Sequence, residues 1–141
     1  MVHVVIFNSE GQMLIQRRTP EKFIWPNRWD VSAAGGVDAG ETSRQAAERE
    51  CREELGYALD LTGVRPSVTV NYDGGFDDFF LVVREVDLSV LRLQETEVSE
   101  VRWAGLDEVL ALAAEEQFVV YPESFLRFLF DMRETFGFPI K

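Results

Sequence analysis

The sequence predicts an α/β fold in which a mixed sheet carries helices packed on its faces. Three observations carry that reading. β-branched apolar runs interleave with helical stretches along the chain, which is the element order of layered α/β and α+β domains. One helix, entered at Thr42 and left at Gly56, shows end signals on both sides. The 141 residues, 46% hydrophobic and 28% charged, match one globular domain spanning 1–141, since about 150 residues is the usual allotment per domain. A chain of that size buries about two-thirds of its unfolded surface and needs no staples.

The first strand is expected at Val2 to Phe7, a β-branched apolar run. The chain starts almost inside it, as expected if a preceding segment is missing. Asn8-Ser9-Glu10-Gly11 supplies turn chemistry, and Gln12 to Arg17 alternates as a second strand. A loop with two prolines and two tryptophans follows from Thr19 to Asp30, then a short strand at Val31 to Ala34. Gly35, Gly36 and Gly40 punctuate the approach to the helix. Thr42 with Gln45 three residues on reads as a capping box, and Gly56 as the C-terminal glycine. Further strands are expected at Val64 to Tyr72, Phe79 to Val86 and Val98 to Ala104, with a turn at Asp73-Gly74-Gly75. Leu106 to Ala114 reads as a short helix and Pro122 to Phe136 as a final one, with apolar positions at Phe125, Leu126, Leu129 and Phe130.

Charge and composition narrow the function. The net charge of −11, from 14 basic and 25 acidic residues, offers no basic stripe for a long nucleic acid. An acidic protein still binds a phosphorylated small molecule when a divalent cation bridges the two anions. No apolar run is long enough to span a bilayer, and the N-terminus lacks the pattern of a secretory signal. A single cysteine, Cys51, excludes an internal disulfide and suits a reducing cytoplasm.

The helix after Thr42 concentrates carboxylates. Residues three and four apart on a helix have β-carbons roughly 5–6 Å apart, so Glu50, Glu53 and Glu54 share one face. Ala47, Cys51 and Leu55 form a second stripe facing the core. Ala46 is expected among the acids, its small size leaving room for a ligand. Arg49 lies beside Glu53. Three like charges at this spacing cost stability unless a cation sits among them. A hard divalent ion with oxygen ligands meets that need, Mg²⁺ above all where phosphate oxygens complete the shell. Alone, the same pattern also describes a solvated acidic face.

The wider spacing adds a resemblance. Gly35, five residues, Glu41, seven residues, Arg49-Glu50, an apolar residue, any residue, Glu53-Glu54, any residue, Gly56: this resembles the Nudix box. Cys51 and Tyr57 stand where the family usually has an aliphatic residue. The hairpin ending in Gln16-Arg17-Arg18 and the stretch Glu97 to Trp103 also look familial. The resemblance implies an α/β/α sandwich around a mixed sheet, and hydrolysis of a diphosphate linked to some other moiety, X. It implies Mg²⁺, with Mn²⁺ as a substitute, on Glu50, Glu53, Glu54 and the Gly35 carbonyl. Arg49 and Glu41 would orient those ligands. Water made acidic by the ion would attack phosphorus, and a carboxylate would collect the proton, with Glu54, Glu50 and Glu97 as candidates in that order. Asp78 stands where close relatives carry an acid and is a further candidate ligand. Arg18 and Lys22 are candidates for the diphosphate, and Trp25 and Trp29 for stacking on a base. Many relatives are dimers, so a homodimer is also implied.

Arg17-Arg18, Lys22, Trp25-Pro26, Trp29, Ser32 and Gly35 are in addition similar to type I isopentenyl-diphosphate isomerase. That enzyme carries a cysteine where this chain has Ala34, and binds its metal through histidines, whereas His3 falls outside those positions. Its box is degenerate and this one is intact. Hydrolysis of a nucleoside di- or triphosphate or a related derivative is therefore the leading expectation. The alternatives are an isomerase-like enzyme and a non-catalytic module that binds a phosphorylated metabolite. The loops at Thr19 to Asp30 and Asn71 to Asp78 are expected to select X.

Overall fold

Seven strands form one mixed sheet in the computed structural model, which describes residues 1–135. The strands are β1 (Val2–Phe7), β2 (Met13–Arg18), β3 (Trp29–Asp30), β4 (Ala33–Gly35), β5 (Val68–Tyr72), β6 (Gly75–Val83) and β7 (Val98–Ala104). The helices are α1 (Ser43–Leu55), α2 (Leu106–Ala114) and α3 (Glu123–Asp131). The main path runs β3-β2-β1-β6-β5, with β4 added to β1 and β7 to β2. β1 pairs in parallel with β6 and antiparallel with β2 and β4.

Every residue of β1 is buried, and its alternating side chains feed two cores. Val2, Val4 and Ile6 join Ala47, Cys51 and Leu55 of α1. Val5 and Phe7 join Val109 of α2 and Leu126, Leu129 and Phe130 of α3. The sheet thus lies between α1 on one face and α2 with α3 on the other, the α/β/α sandwich expected. Ala46 departs from expectation. It is fully buried in the α1-side core rather than open beside the acids, because α1 lies close enough to the sheet for both alanines to meet it.

Element ends shift for local reasons. β5 begins at Val68, four residues later than expected, because Val64 closes a turn onto Leu61 and Pro66 has no amide to donate. β6 begins at Gly75, since the hairpin register places Tyr72 opposite Gly75 and leaves only Asp73 and Gly74 in the turn. The expected strand at Val31 to Ala34 is shortened and shifted to β4 at Ala33–Gly35, while Trp29–Asp30, expected in the loop, pairs with β2 as β3. The final helix ends at Asp131, and Phe136 lies outside the described residues.

Candidate active site

The box helix is held at both ends. Thr42 Oγ1 accepts from the Gln45 amide at 3.2 Å, and Gln45 Oε1 accepts from the Thr42 amide at 2.9 Å. Gly56 adopts φ 66° and donates to the Arg52 carbonyl at 2.9 Å, a left-handed cap that a β-carbon would strain.

On that helix, Arg49 gathers the acids around its guanidinium. Its Nε and Nη2 donate to the two oxygens of Glu41 at 2.7 and 3.0 Å, and Nη1 donates to Glu50 at 2.7 Å and Glu53 at 3.3 Å. Nη2 also donates to the Gly36 carbonyl at 2.9 Å, tying the glycine loop to the helix. The hydrogen bonds from Arg49, joined by the Asp38 amide, hold the Glu41 carboxyl down at about 2. Glu50 moves the other way: burial lifts its carboxyl, and Arg49 opposes the rise.

Glu54 stands apart from Arg49. It is only 6% exposed, and Gln16 on β2 donates a hydrogen bond to its Oε2. Burial pushes its carboxyl up to about 8, with the hydrogen bond from Gln16 opposing and the nearby charge of Glu50 adding to the rise. Gln16 Nε2 also donates to the Ser32 carbonyl at 2.9 Å, so its amide is aimed from two sides. Gln16 is a functional candidate that sequence reasoning missed. Its signal was a polar residue directly after the apolar Met13-Leu14-Ile15 run.

Among the described residues, no group of three or more His, Cys, Asp or Glu side chains is already arranged to hold an ion. The reason is visible: Arg49 engages Glu50 and Glu53 while Gln16 engages Glu54. The donor chemistry still fits a hard divalent cation. Two of the three carboxylates, Glu50 and Glu54, have raised proton affinity, the condition a cation relieves. Gly35 faces Glu50 so closely that a β-carbon would collide with its carboxyl group, which brings the Gly35 backbone to the acids.

These acids open onto a cleft of about 540 Å³ lined also by Arg18, Lys22, Trp25, Gly35 and Glu97. Lys22 and Glu97 form an ion pair there. Arg18 donates to the carbonyls of Ile24 (2.8 and 3.0 Å) and Trp25 (3.2 Å), and lies 3.6 Å from Asp30, so it braces the loop as it faces the cleft. Trp25 is 38% exposed, with Arg28 over its ring at 4.8 Å.

Two expected site residues fall elsewhere. Trp29 does not line the cleft: it is 6% exposed in the core facing α2 and α3, and β3 bonds its backbone to Gln117 and Val119. Asp78 lies within β6 rather than at its start, and its carboxylate accepts from Ser43 at 2.5 Å and Thr69 at 2.6 Å. It thereby ties the first turn of α1 to the β5–β6 hairpin and does not line the cleft. His3, Asp30 and Tyr121 are among the cleft residues not expected as site residues.

Comparison with known proteins agrees with this geometry. The NUDIX domain family model matches residues 1–124. An uncharacterized Nudix hydrolase of Listeria innocua is 47% identical over 135 residues, covering 96% of this chain and 79% of that protein. An isopentenyl-diphosphate Delta-isomerase of Salmonella arizonae is 34% identical over 113 residues, covering 74% of this chain and 60% of that protein. A crystal structure of a Deinococcus radiodurans protein superposes with a TM-score of 0.74 at 27% identity, covering 91% of this chain and 80% of that one. The chain belongs to the Nudix hydrolase family, enzymes that generally cleave pyrophosphate bonds in nucleotide derivatives. No helix among the described residues is long and apolar enough to cross a membrane.

Proposed function

We propose that this chain, one domain throughout, is a cytoplasmic Mg²⁺-dependent pyrophosphohydrolase, with Mn²⁺ as a substitute ion. Its substrate is a nucleoside di- or triphosphate or a related nucleotide derivative. The observation that carries the reading is the placement of Glu54: buried at the cleft wall, oriented by Gln16, and one helical turn from Glu50. Glu50, Glu53 and Glu54 with the Gly35 carbonyl would hold the cation, once Glu50 and Glu53 turn from Arg49 toward the cleft. The cation supplies screening of the diphosphate charge and a more acidic water.

The chain's own residues do the rest. Arg49 and Glu41 keep the helix and the glycine loop in register, so that the carboxylates and the Gly35 carbonyl face the same space. Glu54 collects the proton of the attacking water at Oε1, the oxygen that Gln16 does not engage. Glu50 is the next candidate for that proton. Glu97, paired with Lys22 at the cleft wall, is the third. Lys22 and Arg18 face the diphosphate, and Trp25 offers an aromatic face to X.

The test is release of phosphorylated product from a panel of nucleotides, nucleotide sugars, dinucleoside polyphosphates and prenyl diphosphates, with Mg²⁺ or Mn²⁺. Glu53→Ala and Glu54→Ala should abolish release in the folded protein. Survival of cation-dependent release in both would remove this helix as the catalytic centre. No release from any substrate by the intact protein would favour a binding module.

A further inference from the structure

α1 carries the carboxylates, and its seat on the sheet decides whether they meet the Gly35 carbonyl. The packing beneath the helix does little to fix that seat. Ala46, Ala47 and Cys51 present small side chains to the core there, and apolar contact is non-directional. Yet the fit is close: a β-carbon on Gly35 would stand 2.1 Å from the Glu50 carboxyl carbon. A helix displaced along the sheet would carry Glu50 and Glu53 away from that carbonyl.

Asp78 is the anomaly on the face beneath. Alternation along β6 puts it on the same side as Phe80 and Val82, which pack into the core under α1. Only 6% exposed, Asp78 sets a carboxylate where its neighbours set apolar groups. Apolar side chains of similar volume often stabilise a buried position as well as a charge does. What the carboxylate adds is direction. Its Oδ1 accepts from Thr69 on β5 at 2.6 Å, and the Asp78 amide donates to the Met1 carbonyl at 3.0 Å. The sheet therefore holds its backbone and one oxygen. The other, Oδ2, accepts from Ser43, the first residue of α1, at 2.5 Å.

The same strands present Gly35. Asp78 pairs with Val2 of β1, and Val2 pairs on its other side with Gly35 of β4. The anchor for Ser43 and the carbonyl that faces the acids are thus in register across one intervening strand. Ser43 precedes Glu50 by seven residues, two turns or about 10 Å of helix. In the last turn of the helix, Gln16 of β2 holds Glu54. Glu50 and Glu53 lie between these two attachments.

We propose that Ser43 and Asp78 are positioning residues for the cation site: their hydrogen bond fixes where the box helix lies on the sheet, and so where Glu50 and Glu53 stand relative to the Gly35 carbonyl. The proposal rests on the hydrolase reading in that this is where the cation binds.

Two near-isosteric changes separate positioning from stability. Ser43→Ala removes the link to the helix and leaves Asp78 its bond from Thr69. Thr69→Val removes the bond within the sheet and leaves the link to the helix. Mn²⁺ affinity of the whole chain is measured by the paramagnetic resonance of free Mn²⁺, with thermal melts and product release alongside. Ser43→Ala should weaken Mn²⁺ about tenfold, the low end of the usual loss when a group that orients ligands is removed. The Mg²⁺ concentration for half-maximal release should rise in step. Ser43→Thr keeps the hydroxyl and should restore wild-type affinity. Thr69→Val should lower the melting temperature as much as Ser43→Ala does and leave Mn²⁺ affinity unchanged. Equal weakening by Ser43→Ala and Thr69→Val would mean a purely structural network and overturn the proposal. Unchanged Mn²⁺ affinity in Ser43→Ala, with release intact, would sink this proposal alone. The expected pattern of Mn²⁺ affinities with no release from any substrate would sink the hydrolase reading alone. No Mn²⁺ binding by the intact protein would overturn both.

Discussion

Gln16 on β2 donates a hydrogen bond to Glu54 on α1, joining the two elements through the one member of the Glu50, Glu53 and Glu54 set that Arg49 does not engage. Gln16→Leu keeps the volume and removes the donor. The buried carboxylate then loses its side-chain partner, at a cost of about 1–3 kcal/mol. The expected outcome is a lower melting temperature without cation and a product-release rate at least about tenfold lower with it, the usual scale for loss of a group that orients a ligand. Gln16→Glu should be worse, since it sets a second acid against Glu54. Thermal melting and steady-state kinetics on both variants check this.

The α1 segment was legible in the sequence because local rules govern it: a capping box, a terminal glycine and carboxylates at helical spacing need no knowledge of the rest of the chain. What escaped depends on tertiary contact. Gln16 and Glu54 meet only because β2 lies across from α1, 38 residues away. Trp29 and Trp25 look equivalent in the sequence, yet β3 takes one into the core and the loop leaves the other in the cleft. Asp78 looks in the sequence like a further acid for the cation, but Ser43 and Thr69, which engage it, come from two other elements and hold it outside the cleft.

The raised proton affinity of Glu54 gives the cation-free protein a definite pH dependence. Below about pH 4.5, the ordinary value, both folded and unfolded chains carry the proton; above about 8 neither does. Between them the folded chain holds a proton that the unfolded chain has lost, so stability falls as pH rises, by up to ~1.4 kcal/mol per pH unit for one full proton. His3, with lowered affinity, acts in the opposite direction around neutrality. The difference between wild type and Glu54→Gln therefore isolates the Glu54 contribution. In melts with chelator, wild type should lose stability from pH 5 to 8 relative to Glu54→Gln, and Mg²⁺ should remove most of the loss. Parallel curves for the two proteins would mean that Glu54 ionises normally.

Gly35→Ala separates the site from the fold. A β-carbon at Gly35 would collide with the Glu50 carboxyl group, the far end of a flexible side chain. The chain accommodates the methyl by swinging Glu50 aside, so the folded state survives with a melting temperature within a few degrees of wild type. The displaced Glu50 no longer faces the space near the Gly35 carbonyl. Product release should fall about 10- to 100-fold, and the Mg²⁺ concentration for half-maximal activity should rise. Activity lost together with the fold, on circular dichroism, would instead mark Gly35 as a packing position.

Trp25 and Trp29 offer a matched pair of substitutions with opposite readouts. Trp29 is 6% exposed among apolar residues that join β3 to α2 and α3, and its truncation to alanine leaves a cavity costing about 3–5 kcal/mol. Trp25 is 38% exposed at the cleft, with an Arg28 contact as its main ring partner. An exposed cation–π contact contributes about 0.5–1 kcal/mol, so Trp25→Ala should cost little stability. If its ring faces X, KM should rise several-fold with kcat nearly unchanged, because a group that holds the ground state and the transition state equally affects binding alone. Trp29→Ala should instead lower the denaturation midpoint strongly and leave KM of the remaining folded protein near wild type. A KM effect from Trp29→Ala and none from Trp25→Ala would reverse the assignment of the two rings.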